Sequence, residues 1–239
     1  MPERGIHRAV EDELMRLMRA IVRDDKTVVA TLIAHEPSVT RQSISVGATR
    51  EAAPDFFFNE INHYLYAGDT LLHAAAAGYR LEIARLLLKH GANIAATNRR
   101  GAQPLHYAAD GAPGSRNWNP EAQAGMIAVL INAGADPNAM DKSGVTPLHR
   151  AVRQRCAAAV DALLRNGSSV RLKNAHGSTP LHLAVQNTGR GGTGSPESKA
   201  LQREIIALLL GAGASLKDRD ATGKTVRDCA THDLFLRQR

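Results

Sequence analysis

The chain has 239 residues, 44% of them hydrophobic and 22% charged, with a formal charge of +7. That is enough apolar residue for a substantial core, but aromatics make up only 4%, which argues against a β-sandwich. No run is long enough to span a bilayer and residues 1–10 lack an apolar signal core, so a cytoplasmic protein with no membrane partner is expected.

The charge is uneven along the chain. Residues 1–54 are balanced, with eight basic and eight acidic side chains, while residues 141–239 carry sixteen against eight. A basic half can attract nucleic acid or an acidic protein surface. Cys156 and Cys229 give neither a disulfide framework nor a metal-ligand spacing, and both are expected as free thiols.

In chain order, residues 14–22 and 27–33 show helical periodicity and predict a helix pair, followed by an irregular stretch over 37–54. A repeat then sets in. Leu-His recurs at Leu72-His73, Leu105-His106, Leu148-His149 and Leu181-His182, at spacings of 33, 43 and 33 residues. Each pair stands four residues after a glycine (Gly68, Gly101, Gly144, Gly177), and a leucine-rich stretch follows, ending at Gly91, Gly134, Gly167 or Gly213. Within one unit, Gly144 suits a tight turn, Thr146 is an N-cap and Pro147 fits the first helical position. A second helix carrying Val160, Leu163 and Leu164 ends at Gly167.

Two insertions interrupt the period, at 112–123 and 188–200. Each ends in Asn-Pro-Glu or Ser-Pro-Glu, a helix start with Asn119 or Ser195 as N-cap. Each therefore lengthens the second helix of its unit and adds a loop, displaying Arg116 and Trp118 in the first and Arg190 in the second.

Threonine, proline, leucine, histidine and alanine in this order, once per 33 residues, resemble the ankyrin repeat. The resemblance covers about 61–230 and implies an all-α solenoid of stacked helix-turn-helix units with projecting hairpin-like loops. It implies an N-terminal helical cap over 1–54, then an ankyrin domain over 55–239 of about four full repeats and a capping repeat. Departures mark the irregular units: Leu71 replaces proline, Gln103 replaces the N-cap threonine, and Arg227 and Asp228 stand where Leu and His are expected. The resemblance also implies that His73, His106, His149 and His182 bond the threonine hydroxyl and neighbouring loop backbone. That assigns them to the framework and not to a metal.

Catalytic and cofactor chemistry finds no support. Gly223-Lys224-Thr225 matches the end of a phosphate loop, but Asp218 fills the first glycine position. No cofactor, metal or small-molecule substrate is expected, and no enzyme. The resemblance instead implies a protein partner on the concave side, and by register the contacts are Tyr66, Asp69, Arg99, Arg100, Ala102, Lys142, Val145, His176 and Ser178 on the tips. Ala77, Asp110, Arg153, Gln154, Gln186 and Asn187 come from the first helices. Arg99, Arg100, Lys142 and His176 with Arg150 and Arg153 would form a cationic stripe suited to carboxylates. An adaptor, scaffold or inhibitor of an acidic partner is the leading expectation, and nucleic-acid binding by the basic half is the alternative.

Overall fold

The computed structural model describes residues 13–49, 53–116, 118–186 and 194–230. The chain forms two compact units, the first comprising Met1–Ala108 with Gly125–Asp136 and the second Ala109–Ala124 with Pro137–Arg239. The expected domain boundary at 54/55 falls inside the first of them.

The helices, in chain order, are α1 (13–22), α2 (Lys26–His35), α3 (Leu71–Ala77), α4 (Leu81–Lys89), α5 (Pro104–Ala109) and α6 (Pro120–Asn132). They continue with α7 (Pro147–Arg153), α8 (Ala157–Arg165), α9 (Pro180–Ala184), α10 (Pro196–Gly211) and α11 (Val226–Cys229). The expected pair near the N-terminus is α1 and α2, with Leu17, Met18, Ile21 and Ile33 fully buried.

The stretch expected to be irregular is more ordered than its sequence suggests. It holds short 3-10 turns at Pro37–Arg41 and Pro54–Phe56, and a two-stranded antiparallel ribbon of β1 (Phe57–Phe58) and β2 (His63–Tyr64). Upstream, the Ile44 N–H donates to Asp69 O at 2.9 Å and the Ala48 N–H to Leu65 O at 2.8 Å. Residues 44–48 therefore run antiparallel to 65–69 and make the first hairpin, whose tip carries the ribbon. The pairing residues lie too far apart in sequence for a local turn signal to announce them.

Each later hairpin is closed by one side chain. Asn98 Oδ1 accepts from the N–H groups of Arg100 and Ala102, Asp141 Oδ1 from Ser143 and Val145, and Asn174 Oδ1 from His176 and Ser178. Asp220 Oδ1 repeats the pattern with Thr222 and Lys224. Adjacent hairpins in the second unit touch through backbone, Ala175 N to Ser143 O at 2.9 Å and Ala221 N to His176 O at 3.0 Å. Gly177, at φ +72, is required there, since a Cβ would lie 2.4 Å from Ala221 N.

His73 and His149 act as the resemblance implied. The backbone N–H of Thr146 donates to His149 Nδ1 at 3.3 Å, so Nε2 carries the proton and donates to Ser178 O at 3.0 Å. His73 is held the same way between Thr70 and Ala102 O. Gln103 has no hydroxyl to share, and only its backbone N–H reaches His106 Nδ1, at 3.1 Å. In the last repeat Asp228 substitutes for histidine and restores the cap, accepting from Thr225 Oγ1 at 2.7 Å and Thr225 N at 2.9 Å. The link into that repeat is weaker, because buried His182 Nε2 has no hydrogen-bond partner among the described residues.

Burial holds the His149 pKa below its ordinary value, opposed by Ser178 O and Asp141 and assisted by Arg153. The unfolded chain then binds a proton more readily than the fold, so stability falls as pH drops below the unfolded value of about 6.5. The thermal midpoint is expected to decrease between pH 7 and pH 5, with a shallower slope in His149→Gln, as read by circular dichroism.

Both insertion helices start where the sequence indicates: Asn119 Oδ1 accepts from Ala122 N at 2.9 Å and Ser195 Oγ from Ser198 N at 3.2 Å. Each also carries a buried glutamine that sequence reasoning missed. Gln123 Nε2 reaches Asp110 O at 3.1 Å, and Gln202 Nε2 reaches Ala184 O at 2.8 Å and Gln186 O at 2.7 Å. Both glutamines thus satisfy carbonyls at the end of the preceding helix, which have no partner within that helix.

Candidate interaction surfaces

In the first unit, Tyr66, Arg99 and Arg100 form one cluster. The guanidinium carbon of Arg100 stands 4.4 Å from the Tyr66 ring centroid and that of Arg99 stands 5.3 Å away. Both arginines are exposed and Tyr66 is half-buried. Arg99 Nη2 also donates to Ala48 O at 2.5 Å, in the strand that opens the first hairpin. The Tyr64 ring lies 6.5 Å from that of Tyr66 and 4.7 Å from Phe57, and Tyr64 is 38% exposed. This aromatic shelf was not foreseen; its signal was the concentration of Phe56, Phe57, Phe58, Tyr64 and Tyr66 in an aromatic-poor chain.

A buried polar cluster holds these side chains at their bases. Asp69, 0% exposed, accepts from Tyr107 Oη at 2.7 Å, Asn98 Nδ2 at 2.9 Å and Tyr66 N at 2.6 Å. Asn98 in turn holds the Arg100 and Ala102 amides, and Arg99 N donates to Ala67 O at 2.8 Å. Asp69 is therefore not a tip residue that meets a partner; the register placed it beside Gly68, but these three donors draw its carboxylate inward. Ala102 and Ala77 are buried as well.

The second unit repeats the device with different chemistry. Arg150, 9% exposed, donates through Nη1 to Asp110 Oδ2 at 2.7 Å and through Nη2 to Asp141 Oδ2 at 3.4 Å. Arg150 is thus withdrawn from the expected stripe, and Asp110 serves it, because a guanidinium between two carboxylates is neutralised internally. Lys142, Arg153, Gln154, His176 and Gln186 are exposed, and Val145 and Ser178 half-exposed. Asn187 and Arg190 lie outside the described residues. Arg116 is exposed, whereas Trp118 packs back and donates through Nε1 to Gln123 Oε1 at 2.9 Å.

Asn98 with Tyr107, and Asp141 with Arg150, are each nine residues apart and join a hairpin to the residue after the framework histidine.

Cys156 is fully buried, and burial pushes its thiol up to about 12. Among the described residues no group of three or more His, Cys, Asp or Glu could hold a metal ion, and no helix is long and apolar enough to cross a membrane.

Capped helix pairs joined by hairpins define an all-α repeat protein. The family model for ankyrin repeats in three copies matches residues 17–117 and 121–220, and the chain belongs to that family. Its relatives are diverse. It is 36% identical over 147 residues to mouse (Mus musculus) "Ankyrin repeat and SOCS box protein 16", covering 61% of this chain and 30% of that protein. It is 35% identical over 131 residues to zebrafish (Danio rerio) "Neurogenic locus notch homolog protein 1", covering 45% of this chain and 5% of the other. Against the Caenorhabditis elegans homolog of "Transient receptor potential cation channel subfamily A member 1" it is 29% identical over 182 residues, 68% of this chain and 14% of the other. The chain thus spans less than a third of each of these relatives. Ankyrin repeats are protein-interaction modules.

Proposed function

We propose that this protein is a non-catalytic adaptor, scaffold or inhibitor that acts in the cytoplasm by binding a partner protein through an acidic patch. The observation that carries this reading is the exposed Arg99–Arg100 pair on Tyr66, which faces no carboxylate among the described residues. Arginine on an aromatic floor is a frequent interface anchor, since its planar fork pairs bidentately and tolerates partial burial. In the second unit Lys142, Val145, Arg153, Gln154, His176, Ser178 and Gln186 are the contact residues of the same reading, with Arg150 as a support beneath them; Asp69 is the support in the first unit.

Affinity capture from the source lysate tests it. Arg99→Glu with Arg100→Glu is expected to reduce the captured partner at least tenfold with an unchanged thermal melt, because both side chains are exposed. Unaltered capture would refute the reading. The basic surplus of residues 141–239 supports nucleic acid as a second reading. Titration into duplex and single-stranded DNA at two salt concentrations decides it, and absence of salt-dependent binding removes it.

A further inference from the structure

We propose that Arg99 and Arg100, seated on Tyr66, form a receptor for a phosphorylated side chain of the partner; this deepens the acidic-partner reading above and rests on it.

Arg99 and Arg100 differ from the ion-paired arginines of the protein. Arg150 faces Asp110 and Asp141, Arg85 faces Glu82, Arg165 faces Asp161 and Arg23 faces Glu60. Arg99 and Arg100 are consecutive, share one ring and have no acid beside them among the described residues. Two like charges held side by side repel, and no carboxylate among the described residues neutralises them. A ligand carrying two negative charges removes that repulsion; one carboxylate removes half of it.

Hydrogen-bonding capacity points the same way. The two guanidinium groups offer about ten N–H donors, and one of them, from Arg99 Nη2 to Ala48 O, is bonded among the described residues. A phosphate monoester brings roughly −1.5 to −2 charges and three strong acceptor oxygens, which suits two forks converging on one group. A carboxylate has two oxygens and satisfies a single fork.

The cluster is also preorganised. Tyr66 N is fixed by Asp69, Arg99 N by Ala67 O and Arg100 N by Asn98 Oδ1. The side chains thus rise from backbone that is already hydrogen-bonded, Tyr66 and Arg100 to the buried cluster and Arg99 to the first hairpin, so less ordering is needed when the ligand arrives. The Tyr66 ring strips water from part of each cation, which strengthens its attraction for an anion. Tyr64, beside it, offers an apolar shelf for the chain that carries the phosphate.

The test uses the full chain labelled with 15N-arginine, observed at the arginine Nε–Hε resonances. The probes are a blocked Gly-Gly-phosphoserine-Gly-Gly peptide, the same peptide with glutamate in place of phosphoserine, and inorganic phosphate. The phosphopeptide is expected to shift the Arg99 and Arg100 signals saturably, with a Kd at least tenfold below that of the glutamate peptide and below that of inorganic phosphate. Arg100→Gln, which folds with an unchanged melt, is expected to lose this preference, and Arg100→Lys to regain only part of it.

Equal affinities for the two peptides, or no shift at either arginine, would overturn the proposal. Inorganic phosphate binding as tightly as the phosphopeptide would overturn its peptide source. Equal peptide affinities with capture still lost in the double charge reversal would refute the phosphate receptor and leave the acidic-partner reading standing. Selective phosphopeptide binding with unaltered capture would support the receptor and refute the acidic-partner reading.

Discussion

Asp69→Ala is expected to destabilise the first unit by about 3 kcal/mol and to weaken partner binding as well. The carboxylate is wholly buried and accepts from Tyr107 Oη, Asn98 Nδ2 and Tyr66 N. Removing it strands three donors where water does not reach, and each stranded group costs about 1–3 kcal/mol before neighbours readjust. Asn98 Nδ2 keeps its bond to Tyr107 Oη at 2.9 Å, so its share is small and the total falls towards the lower end of the summed cost. Because the same cluster pins the backbone of Tyr66 and Arg100, the loss spreads to the exposed cations. Asp69→Asn keeps one acceptor oxygen and should fall between the two. Urea denaturation followed by tyrosine fluorescence reads the stability. A change below ~0.5 kcal/mol would mean that the cluster is not what holds the first hairpins in place.

Arg150→Ala is expected to cost about 3–5 kcal/mol in the second unit, the usual penalty for removing one partner of a buried ion pair. Asp110 and Asp141 retain 12% and 10% side-chain exposure, so neither can recover its lost partner from water. The revealing companion is the triple variant Arg150→Met with Asp110→Asn and Asp141→Asn. Asparagine already occupies the position of Asp141 in two other hairpins, at Asn98 and Asn174, where its Oδ1 holds the turn unaided by charge. The triple variant should therefore recover most of the loss, since apolar and neutral replacements of buried ion pairs are often tolerated. Denaturant midpoints of the three proteins decide the matter. If Arg150→Ala melts like the native chain, the arginine is a surface group after all and returns to the cationic stripe.

The framework was legible in the sequence because it is local. The cap bonds span three residues and the His73 and His149 links to the next hairpin span 29, so the period of 33 carries the instruction. The insertion helices were legible for the same reason, with Asn119 and Ser195 capping the turns directly after them. The first hairpin was not, since residues 44–48 meet 65–69 across a long excursion and the ribbon at its tip has no repeat to copy. Asp69 and Arg150 show a different limit. Register correctly placed both near the hairpins, but whether a charged side chain turns inward depends on partners elsewhere. Tyr107 decides it for Asp69, and Asp110 with Asp141 for Arg150. Among the described residues, the expected contacts Arg99, Arg100, Lys142 and Arg153 have no ion pair for their charge and are exposed, as are Gln154, His176 and Gln186.

Hydrogen exchange of the protein alone and with its captured partner, read by mass spectrometry, puts the account to its most direct trial. Slower exchange at residues 64–69 and 98–102 on complex formation, with the α4 amides unchanged, is the outcome expected of a partner seated on the Tyr66, Arg99 and Arg100 cluster. Slower exchange confined to α4, with the hairpin amides exchanging as in the free protein, would contradict it.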